Sequence, residues 1–153
     1  MHPAMAFVPA ILYLIALALG VAGIAVPGAG DGLAPLAQWM LLMSLGLQSL
    51  WAFTGHVFAA EPVARSIGWE TSPFQYEVGV ANLGIGLSAI GATFLGGPAG
   101  WAVFLVSAPF LWGAAWGHVR EMRAAHNFAI NNAGPIFWWD ILTPLTLFVG
   151  LVL

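Results

Sequence analysis

Apolar residues run in five long stretches, Ala6–Val26, Leu36–Phe58, Val78–Leu95, Trp101–Gly117 and Ile136–Leu153, separated by short polar or Gly/Pro-rich connections. A helix needs about 20 mainly apolar residues to cross a bilayer, with ~17 as a lower limit. The pattern therefore predicts an all-α integral membrane bundle of five transmembrane helices forming one domain over residues 1–153. Four spans is the alternative if the first stretch is cleaved or interfacial. The first stretch has no basic n-region and runs longer than a signal-peptide core, so it is expected to be retained. Interior repeats, low-complexity runs and linkers are missing from the sequence.

Composition sharpens this reading. Hydrophobic residues make up 61% of the chain and charged residues 6%, a balance foreign to a soluble domain. With no cysteine there is no disulfide, thiolate nucleophile, iron–sulfur ligation or covalent c-type haem attachment. With no lysine there is no Schiff base. Three arginines cannot form the basic stripe that nucleic-acid binding requires. Neither a Gly-rich phosphate loop nor a Gly-x-Ser-x-Gly elbow is present.

The few cations also set an orientation. Arg65, Arg120 and Arg123 fall in the connections that share a face with the N-terminus, whereas Pro27–Pro35 and Gly96–Gly100 carry only Asp31. Positive residues mark cytoplasmic loops. The N-terminus is thus expected inside a bacterial inner membrane and the C-terminus outside. Trp69, Trp116, Trp138 and Trp139 are expected at the inner interface, and Trp39 and Trp101 at the outer one.

Gly96-Gly97-Pro98 predicts a tight reversal between the third and fourth spans. Ser72-Pro73-Phe74-Gln75 reads as a helix start with Ser72 as N-cap and Gln75 closing a capping box. The third span carries two small-residue stripes, Glu77, Ala81, Gly84, Ser88 and Gly91 on one side and Gly79, Asn82, Gly86 and Ala89 on the other. Small faces let helices approach closely. They predict neighbours on both sides and a central place for this helix. Pro109 and Pro144 should kink the last two spans, Pro144 disturbing the carbonyl of Asp140.

Candidate chemistry gathers at one depth. His56 ends the second span, Glu77 opens the third with Asn82 deeper, His118 and Glu121 end the fourth, and Asp140 opens the fifth. Ionisable groups near lipid are costly unless they face the bundle interior, a partner or water. Each also has an ordinary explanation: a helix-dipole carboxylate at Glu77, a solvated helix end at His118 and Glu121, a structural histidine at His56, an interfacial aspartate at Asp140. His2 and His126 carry less. As a site, His56, Glu77, His118 and Glu121 would make a two-His, two-carboxylate set for a transition metal. Alternatively, His56 and His118 would ligate a haem or pigment from neighbouring helices. His-x-x-Glu reverses the order found in bundle di-iron proteins, which argues against a di-metal centre.

Gly55-His56-Val57-Phe58, Ser66-Ile67-Gly68-Trp69, Ser72 through Gly79 (SPFQYEVG), Ala81-Asn82-Leu83-Gly84, Asn132-Ala133-Gly134-Pro135 and Trp139-Asp140 resemble a family of small bacterial multi-pass membrane proteins of unknown function. The resemblance spans about Gly55 to Pro144. It implies a small helical inner-membrane protein and supplies no activity, so no catalytic residue is assigned.

Three functions stay open. The favoured one is an accessory, assembly or binding subunit of a larger membrane complex, with lipid, other membrane subunits or further copies of itself as partners. The others are a metal- or haem-dependent redox protein and an oligomeric ion or proton pathway. Enzyme activity is not expected on the favoured reading.

Overall fold

The computed structural model describes residues 3–153 and contains helices and loops only. His2 lies outside the described residues. A 3-10 turn over Pro3–Phe7 leads into α1 (Val8–Val21). The second helix, α2, runs over Pro35–Phe58 and is followed by the short α3 (Ala60–Ile67). Then come α4 (Phe74–Leu95), α5 (Gly97–Ala124), the single turn α6 (Ile130–Ala133) and α7 (Pro135–Val152).

Among the described residues, four segments are long and apolar enough to cross a membrane: Pro35–Phe58, Phe74–Leu95, Gly97–Ala124 and Ile130–Val152. The first apolar stretch is helical only over Met5–Val21. At about 1.5 Å per residue it is shorter than the ~30 Å hydrocarbon core. Gly23, at φ +72°, ends it: the Gly23 and Ile24 amides turn back onto the carbonyls of Gly20 and Leu19. The chain beyond is then pinned to α2. Gln38 accepts from the Val26 amide at 2.8 Å and donates to the Leu33 carbonyl, while the Trp39 indole donates to Ile24.

The centre of the bundle is α2, not the third span expected from its glycines. It packs against α1, α4 and α7 and carries Met40, Leu41, Ser44, Leu45, Gln48 and Ser49, all fully buried. Its Met40–Leu47 stretch winds as a π-helix, a wider coil that tends to occur at functional positions. The physical reason for the difference lies on α4, where only one small-residue stripe has a neighbour. Gly79, Asn82, Gly86 and Ala89 are buried against α2, whereas Glu77, Ala81, Gly84 and Ser88 are exposed. A methyl group at Gly86 would come within 2.9 Å of Leu50, and one at Gly84 would meet nothing within 4 Å.

The α4–α5 reversal forms as predicted, with Gly96 at φ +95°. It is locked by the α1–α2 loop, since Gly97 donates to the Asp31 carbonyl and Gly30 to the Thr93 carbonyl, each at 2.9 Å. Three Gly backbones (Gly30, Gly96, Gly97) thus meet where no side chain fits. At the opposite end the expected capping box is absent. Pro73 stands at the N-cap of α4, and the Gln75 side chain donates through Nε2 to the Ala60 carbonyl of α3 at 2.7 Å.

Inside the bundle, Trp139 is not an interfacial anchor. It is 4% exposed, and its indole donates to the Ser44 carbonyl at 2.8 Å beside a 2.7 Å Ser44–Thr143 hydroxyl pair. An indole N–H finds its partner in the π-helical stretch, so the ring is drawn inward. Its neighbour Trp138, like Trp116, is exposed.

Candidate functional site

Helix α3 lies across the end of the bundle where α2 finishes and α4 starts. Its amphipathic sequence turns Val63, Ala64 and Ile67 inward and the Glu61–Arg65 pair outward. Arg120 and Arg123, in the last turns of α5, are exposed at this same end. Beneath α3, the Asn127–Asn132 connection folds back between α3 and α5. Asn127 donates to the Ile67 carbonyl at 2.9 Å and accepts from the Ala129 amide, and Asn131 donates to the Ser66 hydroxyl. Gly68, at φ +82°, ends α3 directly against the Asn127 side chain.

Asn132 carries this scaffold into the bundle. It is fully buried, and its Nδ2 donates to the Asn127 carbonyl at 2.7 Å. That bond fixes which way the amide points, leaving Oδ1 facing His118 Nδ1 at 2.7 Å. Oδ1 only accepts, so Nδ1 of His118 bears the proton and donates it. The other ring nitrogen, Nε2, faces Asp140 Oδ2 across 3.5 Å. Trp69 stacks on the imidazole, ring centroids 6.0 Å apart and planes within 16°. His118 and Asp140 are 6% and 3% exposed.

The electrostatics of this pair follow from the fixed ring. A neutral imidazole protonated at Nδ1 presents a lone pair at Nε2, and an ionised carboxylate presents another. Two buried acceptors aimed at each other are unfavourable without a hydrogen between them. The pair therefore holds one proton in common, on Nε2 or on Oδ2, and is neutral overall either way. At 3.5 Å the gap exceeds an ordinary hydrogen bond, so Oδ2 has no hydrogen-bond partner among the described residues. Pro144, one turn further along α7, lacks the N–H that would bond the Asp140 carbonyl.

Both residues line a cavity of about 690 Å³ that lies among α2, α3, α4, α5 and α7, with Met5, Ala6 and Pro9 of the N-terminal segment and Asn131 of α6 also on its wall. Its walls are mainly apolar, with Trp51, Ala52, Val78, Phe110, Leu111 and Ile136 among them. His56, Asn82 and Gln48 also reach it. Gly79 permits His56 to lie here, because a methyl group on Gly79 would come within 2.7 Å of Val57 and 3.2 Å of the His56 Cβ. His56 Nδ1 and Gln48 Oε1 are buried without hydrogen-bond partners among the described residues. Asn82 turns its amide onto its own helix, donating to the Val78 carbonyl at 2.9 Å.

Of the six residues singled out from sequence, His56, Asn82, His118 and Asp140 thus border one cavity. Glu77 does not: it is exposed on the unpartnered side of α4. Glu121 is half-buried one turn beyond His118 and is not part of the cavity wall. Among the described residues, no group of three His, Asp or Glu side chains is close enough to hold a metal ion. The set His56, Glu77, His118 and Glu121 is therefore not assembled, because the helix rotation that buries Gly79 and Gly86 turns Glu77 outward. Of the two His118 nitrogens a haem or pigment would use, Nδ1 is held by Asn132, while Nε2 faces Asp140 across 3.5 Å.

Asn132, Asn127, Trp69 and Gln48 were missed as site residues. The sequence does carry a signal for the asparagines, three of them within six residues between two apolar spans. Buried amides are expected where a non-helical backbone needs partners close to lipid.

No curated protein and no solved structure matches this chain. A family model does match, over residues 6–153, and the chain accordingly belongs to that family, described as a family of unknown function (DUF6790).

Proposed function

We propose that this protein is a small polytopic inner-membrane protein that binds a mainly apolar small molecule between its helices. The observation that carries this reading is the cavity of about 690 Å³, whose apolar wall is interrupted by Gln48, His56, His118 and Asp140. Ligand sites of this size, about 300–1,000 Å³, combine an apolar lining with a few polar groups that fix orientation. A binding subunit serving a larger membrane complex is the cellular role that fits a chain of this size, and the arginine distribution supports a cytoplasmic N-terminus.

Purification in mild detergent followed by solvent extraction and mass spectrometry tests the binding role. A stoichiometric small molecule is expected with the native protein and not with Gly113→Leu. Gly113 lines the cavity and a Cβ there meets no atom within 4 Å, so the added side chain starts without a backbone clash and takes up space at the cavity wall. Equal recovery from both proteins, or recovery from neither, contradicts the proposal.

A proton path is the second reading, favoured by the proton that His118 and Asp140 share. Acid and imidazole side chains in series are common proton relays across membranes. Proton flux in vesicles containing only this protein, abolished by Asp140→Asn, would support it over binding.

A further inference from the structure

The polar groups of the cavity are unbalanced. Gln48 Oε1, His56 Nδ1 and Asp140 Oδ2 are buried without hydrogen-bond partners among the described residues, and Oδ2 becomes a bare acceptor once the proton shared with His118 leaves. Gln48 is 1% and Asp140 3% exposed. An unsatisfied buried acceptor costs about 1–3 kcal/mol. Once that proton has left, Asp140 and Gln48 Oε1 both lack a donor, so a ligand whose polar end only accepts hydrogen bonds leaves them unpaired.

Charge narrows the ligand further. Among the described residues, no arginine borders the cavity, and Asp140 is its only carboxylate. An anionic head would meet Asp140 with no arginine among the described residues to offset it. Among the described residues, the other titratable groups bordering the cavity are His56 on α2 and His118 on α5, while Glu121 lies one turn beyond His118 outside the wall. On α3 the Glu61–Arg65 pair is exposed outside the cavity, as is Glu77 on α4. Three indoles, Trp51, Trp69 and Trp139, contribute to the wall, and indole faces attract cations. Acceptors, one acid and aromatic faces together suit an ammonium group on an apolar body.

We propose, building on the binding role above, that the cavity takes a lipophilic amine whose ammonium nitrogen pairs with Asp140 in place of the proton Asp140 shares with His118. The exchange is non-covalent and balanced in charge. One ammonium enters, one proton leaves to bulk water, and His118 remains neutral with Nδ1–H on Asn132. Binding is therefore coupled to proton release and tightens as pH rises, about tenfold per unit while the free pair still holds its proton.

The test uses the full chain in detergent with three probes of one shape: 4-phenylbutylamine, 4-phenylbutan-1-ol and 4-phenylbutyric acid. Tryptophan fluorescence reads occupancy, and calorimetry in buffers of different ionisation enthalpy reads protons released. The amine is expected to bind at least about tenfold more tightly than the alcohol, releasing one proton, with the acid showing no saturable binding. Asp140→Asn should abolish both the amine preference and the proton release. If that variant does not give a monodisperse protein, proton release by the native protein decides alone. Equal affinity for amine and alcohol without proton release overturns the amine proposal and leaves the binding role intact. Saturable binding of the acid overturns it as well. Failure of all three probes overturns it too, and the binding role then stands or falls on the extraction experiment.

Discussion

His118 donates through Nδ1 to the Asn132 side-chain oxygen Oδ1 at 2.7 Å, tying the end of α5 to the turn that precedes α7. Fourteen positions separate the two residues, and both are buried. Asn132 is held in turn by the Asn127 carbonyl. The imidazole is thus aimed at Asp140 by a scaffold of main-chain and amide groups, independently of any ligand.

Asn132→Leu should show what that scaffold contributes. The substitution strands the His118 N–H and the Asn127 carbonyl in a buried setting, a loss of about 1–3 kcal/mol for each unpaired group. Thermal unfolding in detergent should reveal a clearly lowered midpoint, whereas Asn131→Ala, at a partly buried bond, should lower it less. Equal stability of the native protein and Asn132→Leu would refute a structural role for this bond.

Ser44 and Thr143 offer a sharper test, because their hydroxyls pair at 2.7 Å between α2 and α7. Ser44→Ala and Thr143→Val should each destabilise by about 1 kcal/mol. Together they should cost less than the sum, with a coupling of about 0.5–1 kcal/mol. Strict additivity would mean that the two hydroxyls do not act as a pair.

The two faces of α4 should respond differently to bulk. Gly86→Leu forces a side chain against Leu50 and the Gly46 carbonyl, and should reduce the yield of folded protein through overpacking, at a cost of about 1–3 kcal/mol. Gly84→Leu points into open space and should be tolerated in the isolated chain. Comparable loss in both variants, read by size-exclusion chromatography, would show that the exposed face is covered in the membrane.

Reporter fusions at the two termini check the orientation. With Met5–Val21 inserted alongside the four longer segments, the termini should report opposite sides, the N-terminus cytoplasmic. Both termini on one side would mean that the short first helix does not cross.

Helical class, the approximate limits of α2, α4 and α7, and the Gly96 reversal were legible in the sequence, while α5 continues to Ala124, past the Gly117 end of its apolar run. Long apolar runs and left-handed glycines act locally, through the absence of water and the absence of a Cβ. Rotation of each helix about its axis was not legible. The stripes on α4 have equal claim to a partner by composition, and only packing against α2 buries Gly79 and Gly86 while leaving Glu77 outside. Trp138 and Trp139 show the same limit, since adjacent residues in a helix project about 100° apart and one met Ser44 while the other met none. Sequence placed His56, His118 and Asp140 at one depth. Tertiary structure alone decided that they share a cavity, because that depends on α3 closing the end of the bundle and on three asparagines satisfying a turn near the membrane. Such bonds join residues up to 65 positions apart, and no local pattern encodes them.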